Sequence, residues 1–171
     1  MKKPLNKDLV ERISKVLKYD PITGLFFWKE KQSCRAEDGW FTGSVHGSYV
    51  GFRVFWERYY SHRLAWAIVH GELSSDVEID HINGNKKDNR LANLRIASAS
   101  QNQHNKTAYR NNKSGVKGVN LDGKSGKWRA KFNCNGKRYE LGLFASLDEA
   151  ERVVVAARAK AHGEFANHGA V

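Results

Sequence analysis

Cysteine is almost absent from this chain of 171 residues. Only Cys34 and Cys134 occur, far apart and with no C-x-x-C spacing. That excludes a zinc ribbon and argues against a structural disulfide, so both thiols are expected as small buried or half-buried side chains. Long apolar runs are missing too. No stretch approaches the roughly 20 residues that cross a bilayer. The start, "MKKPLNKDLVERISK", is basic but has no apolar export core. A cytoplasmic location and no membrane partner are therefore expected. Acidic residues are the minority, 18 against 29 lysines and arginines, for a formal charge of +11. An excess of that size points to a polyanionic partner, with nucleic acid ahead of an anionic membrane. There is no internal repeat and no low-complexity tract.

What is present divides into two patterns. "KDLVERISKVL" spaces Leu9, Val10, Ile13, Val16 and Leu17 at helical intervals. "YDPITGLFFWKE" gives a Pro–Gly turn and then an aromatic strand. "GSYVGFRVFWERYYSH" is rich in strand formers, with Glu57-Arg58 as the expected hairpin turn. "HRLAWAIVHGE" reads as a helix that puts Leu64, Ala65, Ile68 and Val69 on the core side and stops at Gly71. Strand "VEIDHI", a loop, strand "LRIAS" and a short helix opening at Ser98 or Ser100 follow. A serine hydroxyl accepts an otherwise orphaned helix N–H.

"KTAYRNNK", residues 106 to 113, is polar, basic and aperiodic, and the domain boundary is placed there. After it, "VKGVNLD", "KWRAKFN" and "KRYELGLF" read as strands, the last two joined by Asn135-Gly136, a strong hairpin signal. Ser146-x-x-Glu149 is a capping box. It opens a helix with Leu147, Ala150, Val153, Val154 and Ala157 on one stripe and Gly163 as its end. Residues 1 to 105 carry 16 basic and 12 acidic side chains, and residues 106 to 171 carry 13 and 6. The excess is concentrated at 106 to 138, where 10 basic residues accompany one acid, Asp122.

The stretch "EIDHINGNKKDNR" sets Asp80 and His81 side by side at the end of a strand. Strand neighbours point to opposite faces, so the two share a site only if the strand ends and twists there. "INGN" supplies that ending. The far side of the loop offers Asn93, and the next helix offers Asn102, His104 and Asn105. The set Asp80-His81, Asn93 and Asn102, within "HRLAW…IDHINGNKKDNRLANLR…", resembles the HNH nuclease motif, the ββα-metal fold, in its phage and intron-encoded homing branch. Asn102 makes it an H-N-N variant.

The resemblance implies hydrolysis of a phosphodiester. His81 is then the general base, since imidazole titrates near neutral pH. Asp80 and Asn102 are hard oxygen donors for one Mg²⁺ or Mn²⁺ ion acting as a Lewis acid. Asn93 is implied to hold the loop so that His81 is oriented. His104, two positions beyond Asn102, faces away from it on a helix, whereas Asn105 is a closer neighbour. Arg63 is a candidate phosphate clamp, with a structural ion pair as the alternative.

In "KWRAKFN", Trp128, Ala130 and Phe132 alternate with Arg129, Lys131 and Asn133, so one face can pack on the helix while the other presents cations. Residues 114 to 168 resemble the Apetala-type domain of plant ethylene-response factors, through the "KGV" start, "GKW-A", "LG-F" and the "EA…A" helix. The resemblance implies that Lys117, Arg129, Lys131 and Arg138 contact the DNA major groove. Asn120, Asn133 and Glu140 depart from the plant pattern, so its target sequence does not transfer.

The expected fold class is α+β. An HNH nuclease domain (1–106) with an N-terminal helix and strands is followed by a basic linker (107–113). A C-terminal Apetala-type domain (114–171) then has a three-stranded antiparallel sheet packed on one helix. The expected function is a metal-dependent endonuclease acting on double-stranded DNA, monomeric and without a small-molecule cofactor, in a bacterial or phage-infected cell. A non-cleaving DNA-binding regulator and an RNA-directed protein stay open as alternatives.

Overall fold

The structure, a computed structural model, describes residues 3–30, 39–98, 101–102 and 112–166. The chain forms two compact units, Met1–Ala97 and Ser98–Val171. Most of the expected linker, together with Cys34, His104 and Asn105, lies outside the described residues.

In the first unit, α1 (Lys7–Val16) is capped by Asn6, whose side chain accepts from the Leu9 N–H, and buries Val10 and Ile13. The strands β1 (Leu17–Tyr19), β2 (Phe26–Trp28) and β3 (Trp40–Phe41) make one antiparallel sheet. A second contains β4 (Ser44–His46), β5 (Tyr49–Val54) and β6 (Glu57–Tyr60). Phe26, Phe41 and Phe52 meet edge to face or tilted in the core, with Trp28 against them. Such aromatic pairs add to simple area burial.

The β5–β6 turn falls at Phe55–Trp56, and Glu57 and Arg58 lie in β6. Both turn residues have left-handed backbones, φ 50° and 68°, which is unusual for bulky side chains. Phe55 packs against the core with Arg12 over its ring, and that anchor fixes the register against the local preference for a polar turn. Helix α2 (Ser61–His70) follows. Leu64, Ala65 and Ala67 face inward and Gly71 (φ 89°) stops it. Val69, expected inside, is exposed. Strands β7 (Glu78–His81) and β8 (Leu94–Ala97) form the last pair of the unit, with a 3₁₀ turn at Leu91–Asn93 before β8.

The second unit opens at Ser98, whose hydroxyl accepts from the Gln101 N–H while the Gln101 side chain accepts from the Ser98 N–H. That reciprocal pair is a capping box. Strands β9 (Val119–Leu121), β10 (Trp128–Cys134) and β11 (Lys137–Phe144) form an antiparallel sheet in the order β11-β10-β9. Asn135 and Gly136 turn with φ 50° and 74°, as a two-residue hairpin of that composition requires. Helix α3 (Leu147–His162) is capped by Ser146 and lays Ala150 and Val154 on Val116, Val119 and Ala130. Trp128 packs at the edge of this small core.

Candidate active site

Strand β7 ends where the chain leaves for a polar loop. In the ladder, Asp80 faces Arg95 and His81 faces Leu94. Both residues are buried, at 5% and 3% exposure, in different surroundings. Asp80 Oδ2 accepts from Arg95 Nε at 3.0 Å and Nη2 at 2.9 Å. The His81 ring lies edge-on to His62 at 5.1 Å between centroids and 6.2 Å from Tyr49. Tyr49 in turn carries the Lys86 ammonium over its face at 4.7 Å.

Side chains that bond to backbone do much to hold the loop. Asn93 Oδ1 accepts from the Asn83 N–H at 3.0 Å, and Asn93 Nδ2 donates to the Asp88 carbonyl at 2.8 Å. Inside the loop Asn83, Asn85 and Asp88 each accept from the N–H two residues on, a run of Asx turns. Hydrogen bonds from Arg90 hold the Asp88 carboxyl down at about 2. Asn89 turns inward, with its Oδ1 3.1 Å from His81 Nε2.

Burial lowers the His81 imidazole below its usual range. The bond to Asn89 and the charges of Asp80 and Asp88 oppose that, and Lys86 adds to the lowering. A ring that stays neutral near pH 7 is suited to accepting a proton.

The remaining expected residues divide. Asn102 sits half-buried in a helical turn of the second unit, its N–H bonded to the Ser98 carbonyl. Arg63 is a correction. It is 5% exposed, with Nη1 donating to the Val77 carbonyl at 2.7 Å and Nη2 to Ser74 at 2.9 Å. Its fork ties α2 to the segment before β7, a structural role rather than a phosphate clamp. In the second unit Arg129 and Arg138 are exposed, beside Asp122 at 2.5 Å and Glu140 at 3.0 Å. Lys131 pairs with Glu140 across the ladder and is half-buried. Lys117 is half-buried, and burial together with the charge of Arg158 pushes its ammonium down to about 8.

The donor chemistry fits a hard divalent cation. Asp80, in the first unit, offers a carboxylate held by Arg95, a hard oxygen donor of the kind such a cation takes. Among the described residues no group of three or more His, Cys, Asp or Glu could hold a metal.

Sequence reasoning missed Asn89 and Arg95, although both lie in the quoted stretch or just after it. It also missed Arg53 and Arg58, exposed and directly opposed in the β5–β6 ladder, with Arg58 touching His46. Like charges opposed in this way cost stability.

The profile of a family described as HNH endonuclease matches residues 59–104. Protein 3.8 of Escherichia phage T7 is 31% identical over 117 residues, covering 67% of this chain and 94% of the phage protein. A protein of Acanthamoeba polyphaga mimivirus, named Uncharacterized HNH endonuclease L560, is 31% identical over 106 residues, 61% of this chain. The match takes in 54% of that relative, about half its length. No solved structure matches the chain.

Proposed function

The chain belongs to the HNH endonuclease family and is a nuclease, and on that premise we propose a divalent-metal-dependent enzyme of the homing type that hydrolyses phosphodiester bonds in double-stranded DNA. His81 is the general base, taking a proton from the attacking water on its ring nitrogen. Asp80 and Asn102 are the residues that would hold one Mg²⁺ or Mn²⁺. Such an ion supplies Lewis-acid charge at the phosphate when bound. Asn93 keeps the loop fastened so that the His81 backbone stays in place.

Residues 114–171 are proposed as an Apetala-type recognition module, joined through the basic linker 107–113 to the nuclease domain 1–106. Arg129, Lys131 and Arg138 would contact DNA, with Lys117 in a supporting place. Support comes from the three-stranded sheet, the Asn135–Gly136 hairpin and the exposed arginines. The Arg53–Arg58 pair gives the first unit a cationic surface of its own. A tethered recognition sheet raises the local concentration of the cutter on its target. One site per chain favours a monomer that nicks.

The observation that carries this reading is the placement of Asp80 and His81 at the end of one strand, above a loop fastened by Asn93. Supercoiled plasmid incubated with the protein and Mg²⁺ or Mn²⁺ should relax to the nicked form, and EDTA should stop it. Plasmid that stays supercoiled under all these conditions would contradict it. The second reading is a non-cleaving DNA-binding protein. Arg95 on the Asp80 carboxylate favours it, because a structural ion pair needs no metal.

A further inference from the structure

His81 is a ring on a strand end, and a ring can rotate. Packing against His62 and Tyr49 restricts its plane, but packing does not decide which nitrogen carries the proton. A hydrogen bond does. The partner at Nε2 is Asn89 Oδ1, at 3.1 Å. An amide oxygen only accepts, so the contact selects the ring with its hydrogen on Nε2 and leaves Nδ1 as the basic nitrogen.

Asn89 is itself held from elsewhere in the first unit. It is 2% exposed. Its carbonyl accepts from the Tyr19 hydroxyl at 2.7 Å, a bond between residues 70 apart in sequence. Burial, with the charges of Asp20 and Asp88, pushes the Tyr19 phenol up to about 12, so it stays a donor. Two positions on, the Leu91 N–H donates to the Pro21 carbonyl at 3.0 Å. Between these contacts the turn at residues 20–24 lies flat on the Asn89–Arg90 peptide. A Cβ at Gly24 would come 2.5 Å from the Arg90 nitrogen and 2.7 Å from the Asn89 carbonyl carbon, and φ there is +74°. The turn is stiff in its own right, with Asp20 accepting from the Ile22 N–H and the Thr23 hydroxyl.

We propose that Asn89 is the positioning residue for the His81 ring, and that the Tyr19–Gly24 segment, the end of β1 and the turn after it, is the brace that holds Asn89 against Nε2. The proposal rests on the reading of His81 as general base. It assigns the first sheet a task in the reaction: fixing the tautomer of a ring that it does not itself touch.

The test uses the full chain. In wild type without metal, ¹⁵N shifts of His81, recorded where the ring is neutral, should show the Nε2–H tautomer. A predominant Nδ1–H form would overturn the proposal without any variant. Asn89→Leu removes the acceptor and should slow single-turnover cleavage at least about tenfold, with DNA affinity in EDTA unchanged. Asn89→Asp, which keeps an oxygen in place, should recover most of the rate. Tyr19→Phe loosens the brace with almost no change in volume, and should lower the rate by a smaller factor. It also serves if Asn89→Leu does not fold. If Asn89→Leu and Tyr19→Phe both cut at the wild-type rate while His81→Ala does not cut, Asn89 positions nothing and the base assignment stands. If His81→Ala cuts as well, the underlying reading has failed instead.

Discussion

Arg95 and Asp80 are directly opposed in the β7–β8 ladder, and the guanidinium closes on a single carboxylate oxygen through two nitrogens, at 2.9 and 3.0 Å. Both side chains are largely buried, at 13% and 6% exposure. Breaking such a pair from one side strands the other charge. Arg95→Met should therefore lose about 3 kcal/mol of stability, measured by denaturant unfolding in EDTA. If Asp80 is a metal ligand, Mg²⁺ should restore more stability to this variant than to wild type, because a ligand of the native state stabilises it. Equal stability of the two proteins in EDTA would show that Arg95 is not the counter-charge of Asp80.

Lys117 gives the second unit a pH signature. Its folded value is about 8 against 10.5 for a free lysine. Between those two values the unfolded chain holds more protons than the folded one, so stability rises with pH through that window. Below it, the folded state carries the full penalty of a half-buried ammonium. Lys117→Met should be the more stable protein at pH 7, with the difference from wild type shrinking as pH approaches 10.5. Thermal unfolding of both proteins across that range measures it. A difference that does not vary with pH would put the ammonium in water.

The sheet of the second unit makes a different kind of prediction. Arg129 and Arg138 are exposed, and their partners Asp122 and Glu140 form surface pairs of small energy. A phosphate can displace them. Each duplex phosphate neutralised adds about −0.9 to the log–log slope of affinity against salt. Arg129→Ala with Arg138→Ala should weaken binding and flatten that slope by up to about 1.8, with little change in unfolding temperature. Arg53→Ala with Arg58→Ala should flatten it too, and should stabilise the β5–β6 hairpin by relieving repulsion. An unchanged slope in either double variant would remove that face from the interface.

Local chemistry was readable from sequence wherever one short segment decides the outcome. Asn135-Gly136 turns because those two residues tolerate left-handed backbones, and Ser146 caps α3 as its capping box implies. The Glu57-Arg58 turn was misplaced because Phe55, anchored in the core, overrides the polar residues beside it. Helical spacing puts Val69 inside, but it stands 44% exposed, on the edge of the stripe that Leu64, Ala65 and Ala67 bury. Arg63 looked like a phosphate ligand because charge is visible in a sequence and burial is not. Asn89 was hidden for a related reason. Its importance comes from Tyr19 and His81, partners 70 and 8 positions away, and no local spacing announces them.

The most direct measurement compares His81→Ala with wild type in two assays on the same supercoiled DNA: equilibrium binding in EDTA, and nicking after Mg²⁺ is added. The buried imidazole at the end of β7 is taken to accept the proton of the attacking water. The variant should therefore bind DNA as wild type does and unfold as a compact protein, with nicking slowed by about 10²-fold or more. Nicking at the wild-type rate by a folded His81→Ala protein would contradict the account.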